Sequence, residues 1–414
     1  MNRNNRNYKT WFTLATKYLM ETINDLRNSK YGFWVCGGTP FKSKLDALHY
    51  ASQISNGTVS YYFHDHIWDK LDRNLLGKSS LTSLYKERAQ QLRDKYDYLV
   101  LHYSGGSDSH NILHTFLTNN IKLDEITVRW AKPLQDGKFY KPNTTDKSAR
   151  NSVSEWDFAI KPTLDWIKSN RPEIKINVVD FTEKLIDQSL SSVEFIKSRM
   201  EEMNFQRGSF GGLAMYQDPN VESKMVSTSV SKIGYIFGIE KPLLLLKDKK
   251  IYMQFQDSVY DNMFMPRARM NETGEAFYWS PEFPLLPMEQ AYQAALYFKH
   301  SESHRTIMST SAALSPVDTM KKFQEQNDVL KTILYKDSWN NNTFQADKPN
   351  VSRSDWYFWL HESPEIKLLH SNWQQAMVEL LDGVDSRLIQ YGEEKTPFLA
   401  PYRTKPFYLL SLDE

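Results

Sequence analysis

The sequence predicts an α/β protein built around a parallel β-sheet, because short apolar segments alternate along the chain with segments of helical periodicity. Five apolar segments have the length of a β-strand: Tyr96–Tyr103, Ile126–Trp130, Ile174–Phe181, Pro242–Leu246 and Ile251–Phe255. Helices are predicted after the first strand, over Val153–Asn170, and from the end of the third strand to about Gly238. Strands joined through helices form βαβ units, so we expect the five strands to run parallel in one sheet.

The flanking segments divide the chain into three predicted domains. Residues 1–95 predict an α/β extension, with helices over Asn7–Asn28, Lys42–Ile54 and Ser80–Lys95 and strands over Tyr31–Cys36 and Val59–His64. Residues 96–270 contain the five predicted strands. From about Glu272 the pattern turns helical, so residues 271–414 are predicted to form a mainly helical substrate or interaction domain.

The composition narrows the classes of partner. The net charge is +1, so no global field draws the protein to nucleic acid or to a membrane surface. Cys36 is the only cysteine, which excludes an intramolecular disulfide and a metal site built from several cysteines. No apolar stretch approaches the roughly 20 residues that span a bilayer, and the first residues lack the apolar core of a signal peptide. We therefore expect a soluble, cytoplasmic protein.

The first predicted strand leads directly into a glycine–serine loop, Ser104–Ser109 with the sequence SGGSDS, and then into a helix. At the carboxyl end of a parallel strand, such a turn aims several backbone N–H groups and the positive end of a helix dipole at one point. The two glycines permit close backbone approach, the three serines add hydroxyl donors, and the aspartate can hold a Mg²⁺ that bridges phosphate oxygens. The residues predicted to bind phosphate are Ser104, Gly105, Gly106, Ser107, Asp108 and Ser109.

The strand, the SGGSDS loop and the following helix resemble the PP-loop ATP pyrophosphatase superfamily, which includes asparagine synthetase, GMP synthetase, NAD synthetase and several tRNA-modifying enzymes. The resemblance covers about residues 95–260, and the loop is its most specific part. In the general character of its whole sequence, the chain is similar to asparagine-synthetase-like proteins of large phages. The resemblance implies an adenine-nucleotide hydrolase-like fold, in which a five-stranded parallel sheet has helices on both faces.

The resemblance also implies ATP as a substrate and Mg²⁺ as a cofactor. Members of the superfamily cleave ATP between the α and β phosphates: an acyl, carbonyl or ureido oxygen attacks the α-phosphate, and a nitrogen or sulfur nucleophile then displaces AMP. By position, the glycine–serine loop would hold the β,γ-pyrophosphate, Asp108 would bind Mg²⁺, and the backbone around Val128 would meet the adenine edge.

Three functions are compatible with the sequence. The first is an adenylating ligase that forms an amide or amidine with a small-molecule acceptor. The second is an ATP-dependent enzyme that modifies nucleic-acid bases, a function that the net charge of +1 disfavours. The third is a nucleotide-binding protein without chemistry. A fold alone does not select the acceptor.

The chain departs from better-known members of the superfamily in three ways. Asn2 occupies the position where asparagine synthetases have a catalytic cysteine after Met, so we expect the glutaminase domain to be absent. No CxxC pair occurs, which disfavours the members that carry zinc or an iron–sulfur cluster. The acidic motif of the synthetase domain has no clear match, and Glu240-Lys241 is the nearest candidate.

Four residues outside the loop are further candidates for the site. Lys241 is expected to neutralise phosphate charge in the transition state, although its position before a predicted strand would place it at the wrong end of the sheet. A glycine-capped helix end with solvated charges is the alternative. Asp257 follows the fifth predicted strand and is a candidate second carboxylate for Mg²⁺. The long polar loop Ala131–Asn151 is either a basic lid over the triphosphate, with Lys147 and Arg150 as its cations, or a solvated loop.

Two aromatic clusters occur in the C-terminal third of the chain, Phe277-Tyr278-Trp279 and Trp356–Trp359. Packing in the hydrophobic core is the expected role of such clusters. A stacking platform for a base or nucleotide is the alternative.

Overall fold

The computed structural model of the chain describes residues 26, 29–130, 159–180, 192–202, 231–239, 241–257, 272–302, 305, 329–339, 364–391, 397–398 and 402–413. The predicted helix Asn7–Asn28, except for Leu26, and the loop Ala131–Asn151 lie outside these residues. The cluster Trp356–Trp359 also lies outside them.

Residues 33–95 form a small antiparallel sheet and three helices. In chain order the elements are β1 (Phe33–Cys36), β2 (Thr39–Phe41), α1 (Lys44–Gln53), β3 (Val59–Tyr62), α2 (Asp65–Trp68) and α3 (Leu81–Lys95). The strands lie in the order β2-β1-β3, and both pairings are antiparallel. Serine side chains cap two helices, because Ser43 accepts a hydrogen bond from the N–H of Asp46 and Ser80 accepts one from that of Ser83. The predictions of α1 and α3 are confirmed.

The next part of the chain supplies a five-stranded, fully parallel sheet. In chain order, the elements of this part of the chain are β4 (Tyr98–His102), α4 (Ser107–Thr118), β5 (Glu125–Trp130), α5 (Lys161–Asn170), β6 (Lys175–Asp180), α6 (Val193–Glu202), β7 (Ile233–Phe237), β8 (Leu243–Lys247), β9 (Lys250–Gln254) and β10 (Glu272–Ala276). Two of these strands, β8 and β9, do not belong to the parallel sheet. The order in the sheet is β10-β7-β4-β5-β6, so β4 is the central strand. The predicted α/β class and parallel sheet are confirmed.

Past β10, the described residues contain both helices and strands. They are α7 (Leu285–His300), α8 (Pro364–Leu380), β11 (Gln390–Tyr391), β12 (Pro397–Phe398) and β13 (Phe407–Ser411). β11 pairs with β12 and β13 pairs with β9, both antiparallel. Among the residues that the structure describes, no helix combines the length and the apolar character needed to cross a membrane.

Two predictions about the sheet are wrong. The segment that was expected to be helical up to Gly238 contains β7, whose five residues are all buried. The predicted fourth and fifth strands exist as β8 and β9, but they belong to a separate antiparallel sheet in the order β13-β9-β8. The reason is the connection between them, because Asp248 and Lys249 form a two-residue turn with φ of 50° and 59°. Such a tight turn forces antiparallel pairing. The fifth parallel strand is instead β10, beyond residue 270.

Helices α3 and α4 pack against each other and against β4, which fixes the helix that follows the glycine–serine loop. The apolar face of α4 is buried as its spacing predicts, with Ile112, Leu113 and Phe116 at most 1% exposed. The cluster Phe277-Tyr278-Trp279 is fully buried in the same core, so core packing is the correct interpretation for these three residues.

A buried ion pair joins the N-terminal part of the chain to β9. The Nζ of Lys44, the first residue of α1, lies 2.9 Å from Oδ2 of Asp257, and the two side chains are 1% and 0% exposed. Trp34 donates its indole N–H to Oδ2 of the same carboxylate, and the backbone N–H of Tyr402 donates to Oδ1. The carboxylate therefore has at least three donors within the described part of the chain, as a buried charge requires.

We expect Lys44→Met to lower the free energy of unfolding by about 3–5 kcal/mol, because it leaves the Asp257 carboxylate buried without its cation. Urea unfolding monitored by fluorescence measures this change. Lys42→Met, at an exposed lysine two residues earlier, is the matched control and should be nearly neutral. The double variant Lys44→Met with Asp257→Leu should recover part of the loss, and a double variant weaker than Lys44→Met would contradict this account.

Candidate functional site

The glycine–serine loop lies at the carboxyl end of the central strand. β4 ends at His102, and α4 begins at Ser107 with Gly106 as its N-cap residue. Gly105 has a φ of +78°, a conformation that residues with a Cβ rarely adopt. The first glycine of the pair therefore permits the turn that directs α4 away from the end of β4.

Two serine hydroxyls hold the loop in shape. Ser109 Oγ accepts a hydrogen bond from the N–H of Ser104 at 3.2 Å and donates to the carbonyl of Gly106 at 3.2 Å. Ser104 Oγ accepts from the N–H of Gly106 at 3.3 Å. The sequence predicted both hydroxyls as phosphate donors, and the structure gives them a role in fixing the turn. Ser109 is 3% exposed, whereas Ser104 is exposed.

The second glycine leaves room above the first turn of α4. Among the described residues, a Cβ built on Gly106 would come within 4 Å of one atom, Ser104 Oγ at 3.4 Å. The N–H groups in the first turn of a helix have no partner within the helix, and the positive end of the helix dipole lies at the same point. The start of α4 therefore offers donors, partial positive charge and space in one place, which is the arrangement that binds an anion.

Asp108, in the first turn of α4, has a partner on each carboxylate oxygen. Lys241 Nζ lies 2.7 Å from Oδ2, and the Tyr335 hydroxyl donates to Oδ1 at 2.6 Å. The side chains of Lys241 and Asp108 are 9% and 23% exposed, so water screens this ion pair less than a surface pair. The structure thus brings together two of the predicted site residues, Asp108 and Lys241.

Lys241 reaches the site because of β7, the strand that the sequence did not reveal. β7 runs parallel to β4 with Leu101 beside Ile236, so the two strands end at the same edge of the sheet. The chain leaving β7 at Phe237 carries Lys241 to the glycine–serine loop. The expected obstacle, that Lys241 precedes a strand, disappears because β8 belongs to a different sheet. Glu240, the other half of the predicted pair, lies outside the described residues.

Gly238 permits the close packing of this connection against α4. A Cβ on Gly238 would lie 3.0 Å from the backbone carbon of Asp108 and 3.0 Å from the nitrogen of Ser109. Real Cβ contacts are almost never closer than this, so a side chain would push the β7 connection away from the helix. The sequence signal for this contact is the glycine itself, for which a helix C-cap is the alternative interpretation.

A tyrosine, an asparagine and a serine extend the site into the C-terminal part of the chain. The Tyr278 hydroxyl donates to the carbonyl of Asp108 at 2.9 Å and accepts from Asn111 Nδ2 at 3.0 Å. Asn111 Oδ1 accepts from Ser338 Oγ at 2.8 Å. The sequence did not assign Asn111, Ser338 or Tyr335 to the site, and no local pattern marks them.

Val128, predicted to present its backbone to an adenine edge, is buried in β5 beside Val178 of β6. Thr127 accepts a hydrogen bond from the N–H of Tyr103, so its peptide groups face β4. Peptide groups of successive strand residues point to opposite edges, so those of Val128 face β6 and those of Arg129 face the β4 side. β4 has already turned into the loop at this level. The peptide groups of β5 that face the loop thus belong to Arg129, one residue after Val128.

The remaining predicted residues do not join this cluster in the described part of the chain. Asp257 follows β9 in the antiparallel sheet, and its carboxylate is occupied by Lys44, as described above. Lys147 and Arg150 lie outside the described residues. Within the described ranges, no group of three or more His, Cys, Asp or Glu side chains is arranged to hold a metal ion.

A second hydrogen-bonded chain ties α4 to α5 beside the loop. His110 Nδ1 lies 3.1 Å from the Tyr103 hydroxyl, which donates to Thr163 Oγ1 at 3.1 Å. Burial, with a smaller effect of the neighbouring His114, lowers the pKa of His110 to about 4, so the ring is neutral at pH 7.

Comparisons with known proteins do not assign the chain to a family. No family model matches the chain, and no curated protein is significantly similar to it in sequence. The geometry around Asp108 and the resemblance of the SGGSDS loop are therefore the indications of function.

We expect the buried neutral His110 to make the protein acid-sensitive. Between pH 7 and pH 5 the unfolded chain binds a proton at this residue, whose ordinary pKa is roughly 6.5, and the folded protein does not. The free energy of unfolding should therefore fall by about 2 kcal/mol on acidification through this residue alone. Urea unfolding at both pH values should show a smaller fall for His110→Gln. Equal falls in the two proteins would contradict the assignment.

Proposed function

We propose that the protein is an ATP-dependent adenylating enzyme that cleaves ATP to AMP and pyrophosphate and forms an amide or amidine on a small-molecule acceptor. The observation that carries this proposal is the meeting of Lys241 with Asp108 at the glycine–serine loop, 2.7 Å apart at the carboxyl end of the central parallel strand. The adenine-nucleotide hydrolase-like fold is part of the proposal. A five-stranded parallel sheet with the loop after its central strand supports it.

The residues present fit a triphosphate and its metal. The first turn of α4 supplies N–H donors and a positive dipole end, and the space at Gly106 permits close approach of phosphate oxygens. Asp108 offers a carboxylate for Mg²⁺, which when bound would neutralise phosphate oxygens. Lys241 adds a cation that extends from the end of β7 to the same turn. The backbone around Val128 and Arg129 is proposed to meet the adenine edge.

The ion pair explains how an anion is tolerated next to a carboxylate. Like charges a few Å apart cost several kcal/mol at a moderate effective dielectric constant, so Asp108 alone would repel a triphosphate. With Lys241 beside it the pair is formally neutral, and the attraction of the helix N-terminus remains. Lys241 therefore neutralises Asp108 in the structure and is proposed to neutralise the phosphate charge that develops during the reaction.

The proposed reaction has two steps. An acyl, carbonyl or ureido oxygen of the acceptor forms a bond to the α-phosphorus, and the bond from that phosphorus to the α–β bridging oxygen breaks. Pyrophosphate leaves with the bridging oxygen and the electron pair of the broken bond. A nitrogen nucleophile then attacks the activated carbon, loses a proton, and displaces AMP. The net charge of +1 supports a small acceptor over nucleic acid.

We expect Gly106→Val to weaken binding of ATP and of pyrophosphate by roughly tenfold to a hundredfold, because the side chain occupies the space for phosphate oxygens and removes one or two charge-assisted hydrogen bonds. Isothermal titration calorimetry measures both ligands. Gly106→Ala should give a smaller loss in the same direction. The fold should persist, since φ at this position is −75° and the site is open. Unchanged affinity in a folded Gly106→Val protein would place the nucleotide elsewhere.

We expect α-labelled ATP, incubated with the protein and a low-molecular-weight cell fraction, to yield AMP and pyrophosphate in a Mg²⁺-dependent reaction. Asp108→Asn should lose this turnover by orders of magnitude, because metal neutralisation of developing phosphate charge is a transition-state effect. Asp97→Asn, at an exposed aspartate just before β4, is the matched control and should retain it.

The same assay distinguishes the other two functions. ADP and orthophosphate as the main products would refute adenylation. Turnover only with a nucleic-acid fraction would indicate a base-modifying enzyme. ATP binding without turnover in any fraction would indicate a nucleotide-binding protein without chemistry.

A further inference from the structure

A chain of three hydrogen bonds runs through the core to the first turn of α4. Ser338 Oγ donates to Asn111 Oδ1 at 2.8 Å, and Asn111 Nδ2 donates to the Tyr278 hydroxyl at 3.0 Å. That hydroxyl donates in turn to the carbonyl of Asp108 at 2.9 Å. The three side chains that form the chain are buried, so the bonds lie in a medium of low dielectric constant, where neighbouring hydrogen bonds polarise one another.

The hydrogen-bonded chain has one direction. A carbonyl oxygen can only accept, so the hydroxyl proton of Tyr278 points to Asp108. The hydroxyl oxygen of Tyr278 then accepts from the amide nitrogen of Asn111, which turns the amide oxygen toward Ser338. Each of the three donors therefore points along the chain toward the start of α4.

The chain ends on a peptide unit that carries one of the N–H donors at the start of α4. The carbonyl of Asp108 and the N–H of Ser109 belong to this unit, and Ser109 is the third residue of the helix. The N–H groups of the first turn have no carbonyl partner within the helix and are the groups that bind anions at a helix start. A donor on the carbonyl draws electron density away from the nitrogen, so the N–H of Ser109 becomes a stronger donor.

The same peptide unit is also held from a second side. A Cβ on Gly238 would lie 3.0 Å from its carbon and 3.0 Å from its nitrogen, so the connection after β7 packs directly against it. The ring of Tyr278 is fixed as well, because it makes edge contacts with the rings of Tyr85 and Phe277, with centroids 5.8 Å and 5.1 Å apart. The peptide unit and its donor from Tyr278 therefore have little freedom to move.

We propose that Tyr278 is a positioning residue, which holds and polarises the peptide unit between Asp108 and Ser109 so that the N–H of Ser109 binds a phosphate oxygen of the nucleotide. The inference rests on the proposed function, because it assigns this donor to the pyrophosphate part of ATP. Asn111 contributes by fixing the direction of the Tyr278 proton. Removal of the Tyr278 hydroxyl leaves the N–H of Ser109 less polarised and less firmly held, so inorganic pyrophosphate should bind more weakly.

The test uses the full chain with inorganic pyrophosphate as the probe, in a buffer that contains a chelator, so that the result does not depend on a divalent cation. Nuclear magnetic resonance follows the amide proton of Ser109 in protein labelled with ¹³C at the aspartate carbonyls and ¹⁵N at the serine nitrogens. The sequence contains four Asp-Ser pairs, so a spectrum that selects these pairs has four signals. The signal that is missing from Ser109→Ala is that of Ser109.

We expect saturating pyrophosphate to move the amide proton of Ser109 downfield, because a hydrogen bond to an anion deshields the proton. In Tyr278→Phe this displacement should be smaller. Calorimetry should show an affinity for pyrophosphate that is lower by roughly twofold to fourfold, the effect of removing one cooperative neighbour from a hydrogen bond to a charged group.

Tyr85→Phe is the matched control, because it removes a buried tyrosine hydroxyl with the same pattern of bonds. The Tyr85 hydroxyl donates to the carbonyl of Leu334 at 2.9 Å and accepts from Gln290 Nε2 at 3.0 Å. Both variants should lose thermal stability, but Tyr85→Phe should keep the displacement of the Ser109 signal and the affinity for pyrophosphate. Unchanged values in Tyr278→Phe, or equal decreases in both variants, would overturn the positioning role.

Failure of the positioning role is distinguishable from failure of the proposed function. If the unmodified protein binds neither pyrophosphate nor ATP, the proposed function and this inference both fall. If pyrophosphate binds without moving the Ser109 signal, or if Tyr278→Phe behaves as the unmodified protein does, only the inference falls.

Should Tyr278→Phe not fold, Ser338→Ala takes its place. It removes the donor that holds the amide oxygen of Asn111, so the amide can rotate and accept the Tyr278 proton in place of the Asp108 carbonyl. The displacement of the Ser109 signal should then decrease by a smaller amount, and an unchanged displacement would overturn the inference.

Discussion

The parallel pairing of β4 with β7 is the constraint on which the candidate site depends. The register places Leu101 beside Ile236, so both strands end at one edge of the sheet. The chain leaving β4 becomes the glycine–serine loop, and the chain leaving β7 packs against that loop. Because Gly238 has no Cβ, the connection comes close enough to α4 for Lys241 to meet Asp108. A different neighbour for β4 would leave the Asp108 carboxylate without its counter-ion.

The sequence predicts the loop and its supports well, because the signals there are local. An apolar run, two glycines and an amphipathic helix follow one another without interruption, and the structure has β4, the turn at Gly105 and α4 in those places. β7 is different, since all five of its residues are buried and show no alternation. A fully buried parallel strand and a buried helix segment cannot be told apart by periodicity. The sequence therefore predicts Lys241 as a candidate site residue, but it does not reveal that β7 brings this lysine to Asp108.

Two other features were beyond prediction because their causes are distant in sequence. β10 contains Glu272 and Glu275, residues that disfavour a strand assignment, yet both are buried. Glu275 is accommodated by cations from elsewhere, with Lys30 at 3.0 Å and Arg88 at 3.4 Å. Tyr335 likewise acts through a single hydroxyl on a segment with no motif. The partners of β10 and Tyr335 come from distant parts of the sequence, so no local pattern predicts this strand or this site residue.

The strand order also has a consequence for synthesis on the ribosome. β4, α4 and β5 emerge together, but the other neighbour of β4 is complete only when the chain has been made to residue 237. Until then one edge of the central strand carries open N–H and C=O groups, which is the condition that favours pairing with another chain. The glycine–serine loop of a nascent chain likewise has Asp108 before it has Lys241. The proposed phosphate site is thus completed late in translation, after the glycine–serine turn has already formed.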